Sequence, residues 1–217
     1  MLSGRAALAL LLMCVPVAQA ALPEGGATMR VNGVRLELRT LVLPGEPEAL
    51  ARRLEGRWGE RQSLPRSATR SRAALGRQRG PFHETLALSP GPRPGSSLGV
   101  IAVQDLREPP ASMPFAPVPL PAAARVINVV QFGESGSGTA AFTIDAPGAP
   151  GGALERLWRA AAARGWQRIE SPAVGRASGT AFWARRGARE LTVVALPAAA
   201  RTRIVMLVAS DDEAPRR

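Results

Sequence analysis

Two copies of a Pro-Gly-x-Pro segment, at positions 44–47 and 147–150, limit the folds open to this chain of 217 residues. Each copy follows a stretch of alternating apolar residues and precedes a stretch with helical spacing. Proline has a fixed φ and no backbone N–H, so it ends a strand and suits the first turn of a helix. The recurrence in the same context predicts an internal repeat, with one plan used twice along the chain.

The residues around each segment support this plan. Apolar and polar residues alternate from Met29 to Leu43 and again from Thr139 to Ile144, which is typical of half-buried strands. After the first segment the apolar residues follow helical spacing: Leu50, Ala51, Leu54 and Trp58. After the second segment they do so again: Leu154, Leu157, Trp158 and Ala161.

Further alternating stretches predict more strands in each half of the chain. They cover 82–88, 98–106, 125–132, 166–170, 179–185, 190–196 and 203–209. The predicted fold class is therefore α+β, with two related β-α-β(β) modules, each made of one helix packed on an antiparallel sheet. Because one helix covers one face of a sheet, we expect the other face to be exposed or packed against the other half.

The predicted domain organisation has five parts. They are a signal peptide (1–20), a first α+β module (21–107), a proline-rich linker (108–122), a second α+β module (123–210) and a disordered tail (211–217). Six prolines in 108–122 exclude a helix and favour an extended, polyproline-type spacer. The alternative for this segment is a docking strip anchored by Met113, Phe115 and Leu120.

The amino terminus has the three parts of a secretory signal peptide. Arg5 supplies the positive charge, an apolar run covers 6–13, and Ala18 and Ala20 supply the small residues that precede cleavage. We expect cleavage after Ala20 and a periplasmic or secreted product. A lipoprotein attached through Cys14 is the less favoured alternative, because Leu-Leu-Met precedes that cysteine instead of a small residue.

The chain is strongly basic, with 28 basic and 17 acidic residues and a net charge of +11. Because export separates the product from nucleic acid, we expect an anionic component of the envelope or an envelope protein as the partner. The run from 61 to 80 contains no acidic residue and predicts a solvated loop. The alternative is a docking loop for such a partner, formed by Arg61, Arg66, Arg70, Arg72, Arg77 and Arg79.

Few residues offer chemistry. One cysteine and one histidine exclude a disulfide framework and a multi-histidine or cysteine-based metal site, so no cofactor and no metal are expected. His83 lies beside Glu84, but neighbouring residues of a strand point to opposite faces. Ser135 lies in a segment that begins like a nucleophile elbow and lacks its closing glycine. We therefore expect no enzyme; a periplasmic hydrolase using His83 or Ser135 is the alternative.

In the second half Leu120-Pro121 precedes a strand, a helix ends in Gly165-Trp166, and an antiparallel run follows. In this order of motifs the chain resembles a widespread class of uncharacterised bacterial exported proteins and lipoproteins, over about 118–209 and more weakly over 28–106. It departs from that class at 122–124, where Ala-Ala-Ala replaces a usual Pro-Gly pair. The resemblance implies an envelope location and an α+β sandwich, and it implies no activity.

The sequence thus predicts an exported cell-envelope protein that acts as a non-enzymatic binding or assembly accessory. Addition of a partner strand to a free sheet edge is the expected mechanism, with arginines steering the encounter. Besides the hydrolase, a subunit of a secretion or pilus assembly system is the alternative.

Overall fold

A computed structural model describes residues 26–58, 60–62, 72–132, 138–169 and 181–210, and of 60–62 it describes the backbone only. The predicted signal peptide, with Cys14 and the cleavage position, lies outside these residues. So does the predicted tail 211–217. The chain divides into two compact units, with the boundary between Ala111 and Ser112, inside the proline-rich segment.

The first unit contains six strands and one helix. These are β1 (Ala27–Val31), β2 (Val34–Pro44), α1 (Pro47–Leu54), β3 (Glu60–Gln62), β4 (Ala73–Arg79), β5 (Phe82–Pro90) and β6 (Ser96–Asp105). The strand order is β3-β4-β5-β6-β2-β1, and each of these neighbours is antiparallel to the next.

The second unit also contains six strands and one helix. These are β7 (Arg125–Phe132), β8 (Ala140–Pro147), α2 (Pro150–Ala162), β9 (Gln167–Ile169), β10 (Ala181–Arg186), β11 (Arg189–Ala198) and β12 (Arg201–Ser210). The order is β7-β8-β12-β11-β10-β9, again antiparallel throughout. When the strands of each unit are numbered from one to six along the chain, both sheets have the strand order 1-2-6-5-4-3. In both units the helix follows the second strand.

The predicted α+β class is wrong, because the fold is largely β. Among the described residues the two helices have only 8 and 13 residues, whereas each unit has six strands. Strand β4 was not predicted, because its residues Ala73–Arg79 have weak strand preference. Pairing with β5, from Ala73 opposite Leu88 to Arg79 opposite Phe82, holds this stretch extended. Long-range pairing therefore overrides local preference here.

Each helix packs on one face of its own sheet. In the first unit Leu50 and Ala51 of α1 contact a small cluster of strand residues: Ala73, Leu75, Leu86 and Leu88. In the second unit Leu154 and Leu157 of α2 belong to a larger cluster that includes Phe142, Phe182, Leu191, Val193, Ile204 and Met206. Burial of these apolar side chains is the main stabilising contribution in each unit.

The proline-rich segment is partly built into the second unit. Val118 is buried in its core, and Leu120 packs against that core. Met113 is exposed, and Phe115 is 97% exposed. Of the three anchors predicted for a docking strip, two are therefore available at the surface and one is engaged within the unit.

Both Pro-Gly-x-Pro segments use the same local geometry. Gly45 and Gly148 have φ values of +112° and +88°, which a side chain would strain. The Ser97 hydroxyl donates to the Gly45 carbonyl over 2.6 Å, and the Thr202 hydroxyl donates to the Gly148 carbonyl over 2.5 Å. Ser97 and Thr202 are completely buried. A hydroxyl on the sixth strand thus holds the turn between strand and helix in each unit.

The substitution Thr202→Val is expected to lower the free energy of unfolding by about 1 kcal/mol, because it leaves the Gly148 carbonyl without its donor. Urea unfolding measures this change. Thr192→Val is the control, since Thr192 is only half-buried on the opposite face of the same sheet. An equal loss in both variants would contradict a specific role for the Thr202 hydroxyl.

Candidate functional site

The sheet of the second unit has one face turned away from α2, which we call the open face. Along β11, Leu191, Val193 and Ala195 lie in the core beneath α2. Successive residues of a strand alternate, so Val194 and Leu196 point to the open face. The same alternation on β12 buries Ile204 and Met206 and leaves their neighbours on the open face.

Apolar side chains occupy the middle of the open face. We call Trp183, Val194, Leu196, Val205 and Leu207 the apolar strip. Val194 lies opposite Val205 on the neighbouring strand, and Leu196 lies opposite Arg203. Leu196 is 48% exposed and Val205 is 37% exposed, while the other three are half-buried. Because exposed apolar side chains are unfavourable in water, an accumulation of them on one face is typical of an interaction surface.

Charged side chains lie beside this strip, and we call Arg125, Arg201, Arg203 and Asp145 the arginine cluster. Asp145 has a side chain only 7% exposed, and its Oδ2 lies 2.6 Å from Arg201 Nε and 3.4 Å from Arg125 Nε. Arg203 lies directly opposite Asp145 in the strand register. Three guanidinium groups against one carboxylate leave a surplus of two positive charges on this part of the face.

Two buried polar atoms of the open face lack a hydrogen-bond partner within the described part of the chain. They are Arg203 Nε, a donor, and Asn128 Oδ1, an acceptor. Asn128 is 4% exposed and lies opposite Thr143, two residues along β8 from Asp145. A buried polar group without a partner costs about 1–3 kcal/mol, so each of these atoms would gain from a partner that reached it. The third such atom, Trp166 Nε1, belongs to the core beneath α2.

The structure does not assemble the predicted docking arginines into a loop. Arg77 and Arg79 lie in β4, Arg72 just precedes it, and Arg61 is in β3. Arg66 and Arg70 lie outside the described residues. Arg77 is committed within its own unit: its Nη2 lies 2.5 Å from Glu84 Oε2 and its guanidinium lies 4.5 Å from the centre of the Trp58 ring.

His83 and Glu84 do not form a catalytic pair. Glu84 binds Arg77 on one face of the sheet, whereas the His83 ring lies 3.4 Å from the Thr85 hydroxyl on the other. Ser135, the other candidate nucleophile, lies outside the described residues. Where the structure describes the chain, no three His, Cys, Asp or Glu side chains come together as a possible metal site.

An ion pair at the end of β6 shifts a carboxyl pKa in the first unit. Side-chain and backbone hydrogen bonds from Arg107 lower the pKa of Asp105 from 3.8 to about 2. The Arg107 Nη2 atom donates to Asp105 Oδ2 over 2.7 Å. Because the folded pKa is the lower one, this pair contributes stability at pH values above 3.8, and the contribution is lost as the pH falls towards 2.

We expect an NMR titration of the Asp105 carboxyl to give a midpoint near pH 2. The Arg107→Gln variant removes the charged donor, so its midpoint should rise towards 3.8. An unchanged Asp105 midpoint in the variant would contradict the assigned cause.

Fold and site together define a largely β protein of two six-stranded antiparallel units, with an arginine-bordered apolar face on the second. Comparison with protein-family models, curated proteins and solved structures found no match for this chain. The resemblance over 118–209 to bacterial exported proteins therefore stays a prediction. Neither helix in the described ranges is long and apolar enough to cross a membrane.

Sequence reasoning missed the arginine cluster altogether. Asp145 is one of several scattered carboxylates along the chain, and its arginine neighbours come from β7 and β12. One signal was available: Arg201 and Arg203 are two residues apart in a strand, which places both on the same face. Nothing local in the sequence indicates that Asp145 lies beside them.

Proposed function

We propose that the protein is an exported, non-enzymatic binding protein that recognises an anionic component of the cell envelope through the arginine cluster. The observation that carries this proposal is the surplus of guanidinium groups around Asp145 on the open face. Guanidinium groups bind phosphate and carboxylate through paired, charge-assisted hydrogen bonds. Arg125 has a side chain 77% exposed, so it can reach a ligand from solution.

A binding role is favoured over a hydrolase by the environment of His83. A catalytic histidine requires a group that orients it and a nucleophile within reach. The adjacent carboxylate, Glu84, is held by Arg77 on the opposite face of the sheet. The hydrolase alternative would therefore depend on a partner for His83 other than Glu84.

Strand addition at a sheet edge is a weaker alternative for recognition. At one end of each unit's sheet the outer strand, β3 or β9, has only three residues in the described chain. Short edge strands offer few main-chain hydrogen bonds to an incoming strand. The arginine cluster offers charged donors whose net charge matches an anionic partner, so we favour it as the recognition surface.

The test measures where the protein is located in the cell and whether salt releases it from the envelope fraction. Expressed in a bacterial host, the full chain should yield a product that begins at Ala21 and stays with the envelope fraction at low salt. Because screening weakens exposed ion pairs, salt of about 0.5 M should release it. The double variant Arg125→Gln with Arg201→Gln should be released at a lower salt concentration.

Arg93→Gln with Arg189→Gln provides the matched control, because it also removes two positive charges. Arg93 is exposed in the first unit, and Arg189 is exposed on β11 and points to the face opposite the arginine cluster, so this variant leaves the site untouched. Intact, uncleaved protein in the cytosolic fraction would overturn the location. Identical salt release of the double variant and the unmodified protein would overturn the binding role of the cluster.

A further inference from the structure

We infer that the anionic component is a phospholipid whose phosphate binds the arginine cluster and whose acyl chain lies on the apolar strip. This inference rests on the proposed function and adds the chemistry of the ligand to it. Three features of the open face carry it: the position of the charged groups beside apolar ones, the number of donors, and the unpartnered acceptor at Asn128.

Charged and apolar groups meet at Arg203. Across the sheet its neighbours are Asp145 on one side and Leu196 on the other, and Val205 follows two residues along the same strand face. A ligand that carries charge alone would use the arginines and leave Leu196 and Val205 in water. A lipid with an anionic headgroup covers both parts at once, because its acyl chain buries apolar surface next to its phosphate.

The donors suit a phosphate. The Arg203 Nε atom is a buried donor without a partner in the described chain, and Arg125 is largely exposed. A phosphodiester has several acceptor oxygens that can bind more than one guanidinium group together. A carboxylate has only two oxygens, and in the structure Asp145 contacts both Arg125 and Arg201 through one of them, Oδ2.

The acceptor at Asn128 narrows the choice of headgroup. Its Oδ1 is buried and lacks a donor among the described residues. A phosphate diester has no hydrogen to donate, whereas a glycerol headgroup carries hydroxyl groups that can. Phosphatidylglycerol supplies an acyl chain, a phosphate and hydroxyl donors in a single molecule, and it is therefore the probe that best fits the face.

The experiment measures flotation of the purified chain from Ala21 with vesicles. One set contains equal parts of phosphatidylglycerol and phosphatidylcholine, and the other contains phosphatidylcholine alone. We expect binding to the first set only, and a loss of affinity of about tenfold in Arg203→Gln. Arg189→Gln should lose less than about twofold, which separates the site from general attraction of a basic chain to an anionic surface.

A second variant separates the acyl chain from the phosphate. Leu196→Ser should weaken vesicle binding about threefold, because it removes apolar contact area without changing charge. Inorganic phosphate should compete only weakly, since it lacks an acyl chain. Full competition by inorganic phosphate together with unchanged binding of Leu196→Ser would overturn the lipid assignment and leave the proposed function intact.

An equal loss of vesicle affinity in Arg203→Gln and Arg189→Gln would also overturn the inference, since binding would then follow net charge alone. If the protein did not bind vesicles but its retention in the envelope fraction still depended on the arginines, the lipid assignment would be wrong. The proposal of an anionic partner would stand. Absence of both vesicle binding and arginine-dependent retention would overturn the proposed function as well. Arg125→Gln, at a largely exposed side chain, repeats the test if Arg203→Gln fails to fold.

Discussion

Replacement of Leu157 by alanine is expected to lower the free energy of unfolding of the second unit by about 3–4 kcal/mol. Leu157 is completely buried and joins α2 to the core of the sheet. Shortening it removes apolar contact area and leaves a cavity that β-strands pinned by their register cannot fill. Urea unfolding followed by tryptophan fluorescence measures the change, since Trp158 lies on α2 and contacts Phe182.

Leu196→Ala is the matched control, because it removes the same atoms from the open face. Leu196 is 48% exposed, so the expected loss is under about 1 kcal/mol. A larger loss for Leu196→Ala than for Leu157→Ala would mean that the core lies on the other face of this sheet.

Replacement of Asp145 by asparagine is expected to act in opposite directions on stability and binding. The variant removes the countercharge of Arg125 and Arg201, and we expect a loss of about 2 kcal/mol in the free energy of unfolding. Both arginines then become available to a ligand. Affinity for phosphatidylglycerol vesicles should rise about fivefold, the equivalent of about 1 kcal/mol for one charge at a partly exposed site.

Glu155→Gln controls for the loss of a carboxylate from an ion pair. Glu155 pairs with Arg159 one turn along α2, and both side chains are exposed. This variant should change stability by less than about 0.5 kcal/mol and leave vesicle binding unchanged. If Asp145→Asn destabilised the protein but bound vesicles no better, the arginine cluster would be a structural ion-pair network only.

Local sequence patterns predicted the helices and most of the strands. Helices α1 and α2 begin at Pro47 and Pro150, where the Pro-Gly-x-Pro segments place the first turn. Strand β12 extends the predicted 203–209 by a few residues. These elements were predictable because apolar periodicity and proline chemistry act within a few residues of each other.

The proportion of strand to helix was not predictable in the same way. β4 and the short strand β3 carry little local strand signal, and their partners, not their own sequences, hold them extended. Part of the predicted arginine loop, Arg77 and Arg79, is likewise strand in a paired register. An α+β class was therefore predicted for a fold that is largely β.

The sequence alone determines the two turns and the helices that begin at them. It also determines the alternation that gives each strand an apolar side. These depend on the backbone chemistry of proline and glycine and on the spacing of neighbouring side chains. Only the tertiary structure decided that Asp145 meets arginines from two other strands beside an apolar strip. Strand pairing joins residues far apart in the sequence, such as Arg203 and Asp145, and no local pattern encodes which strands become neighbours.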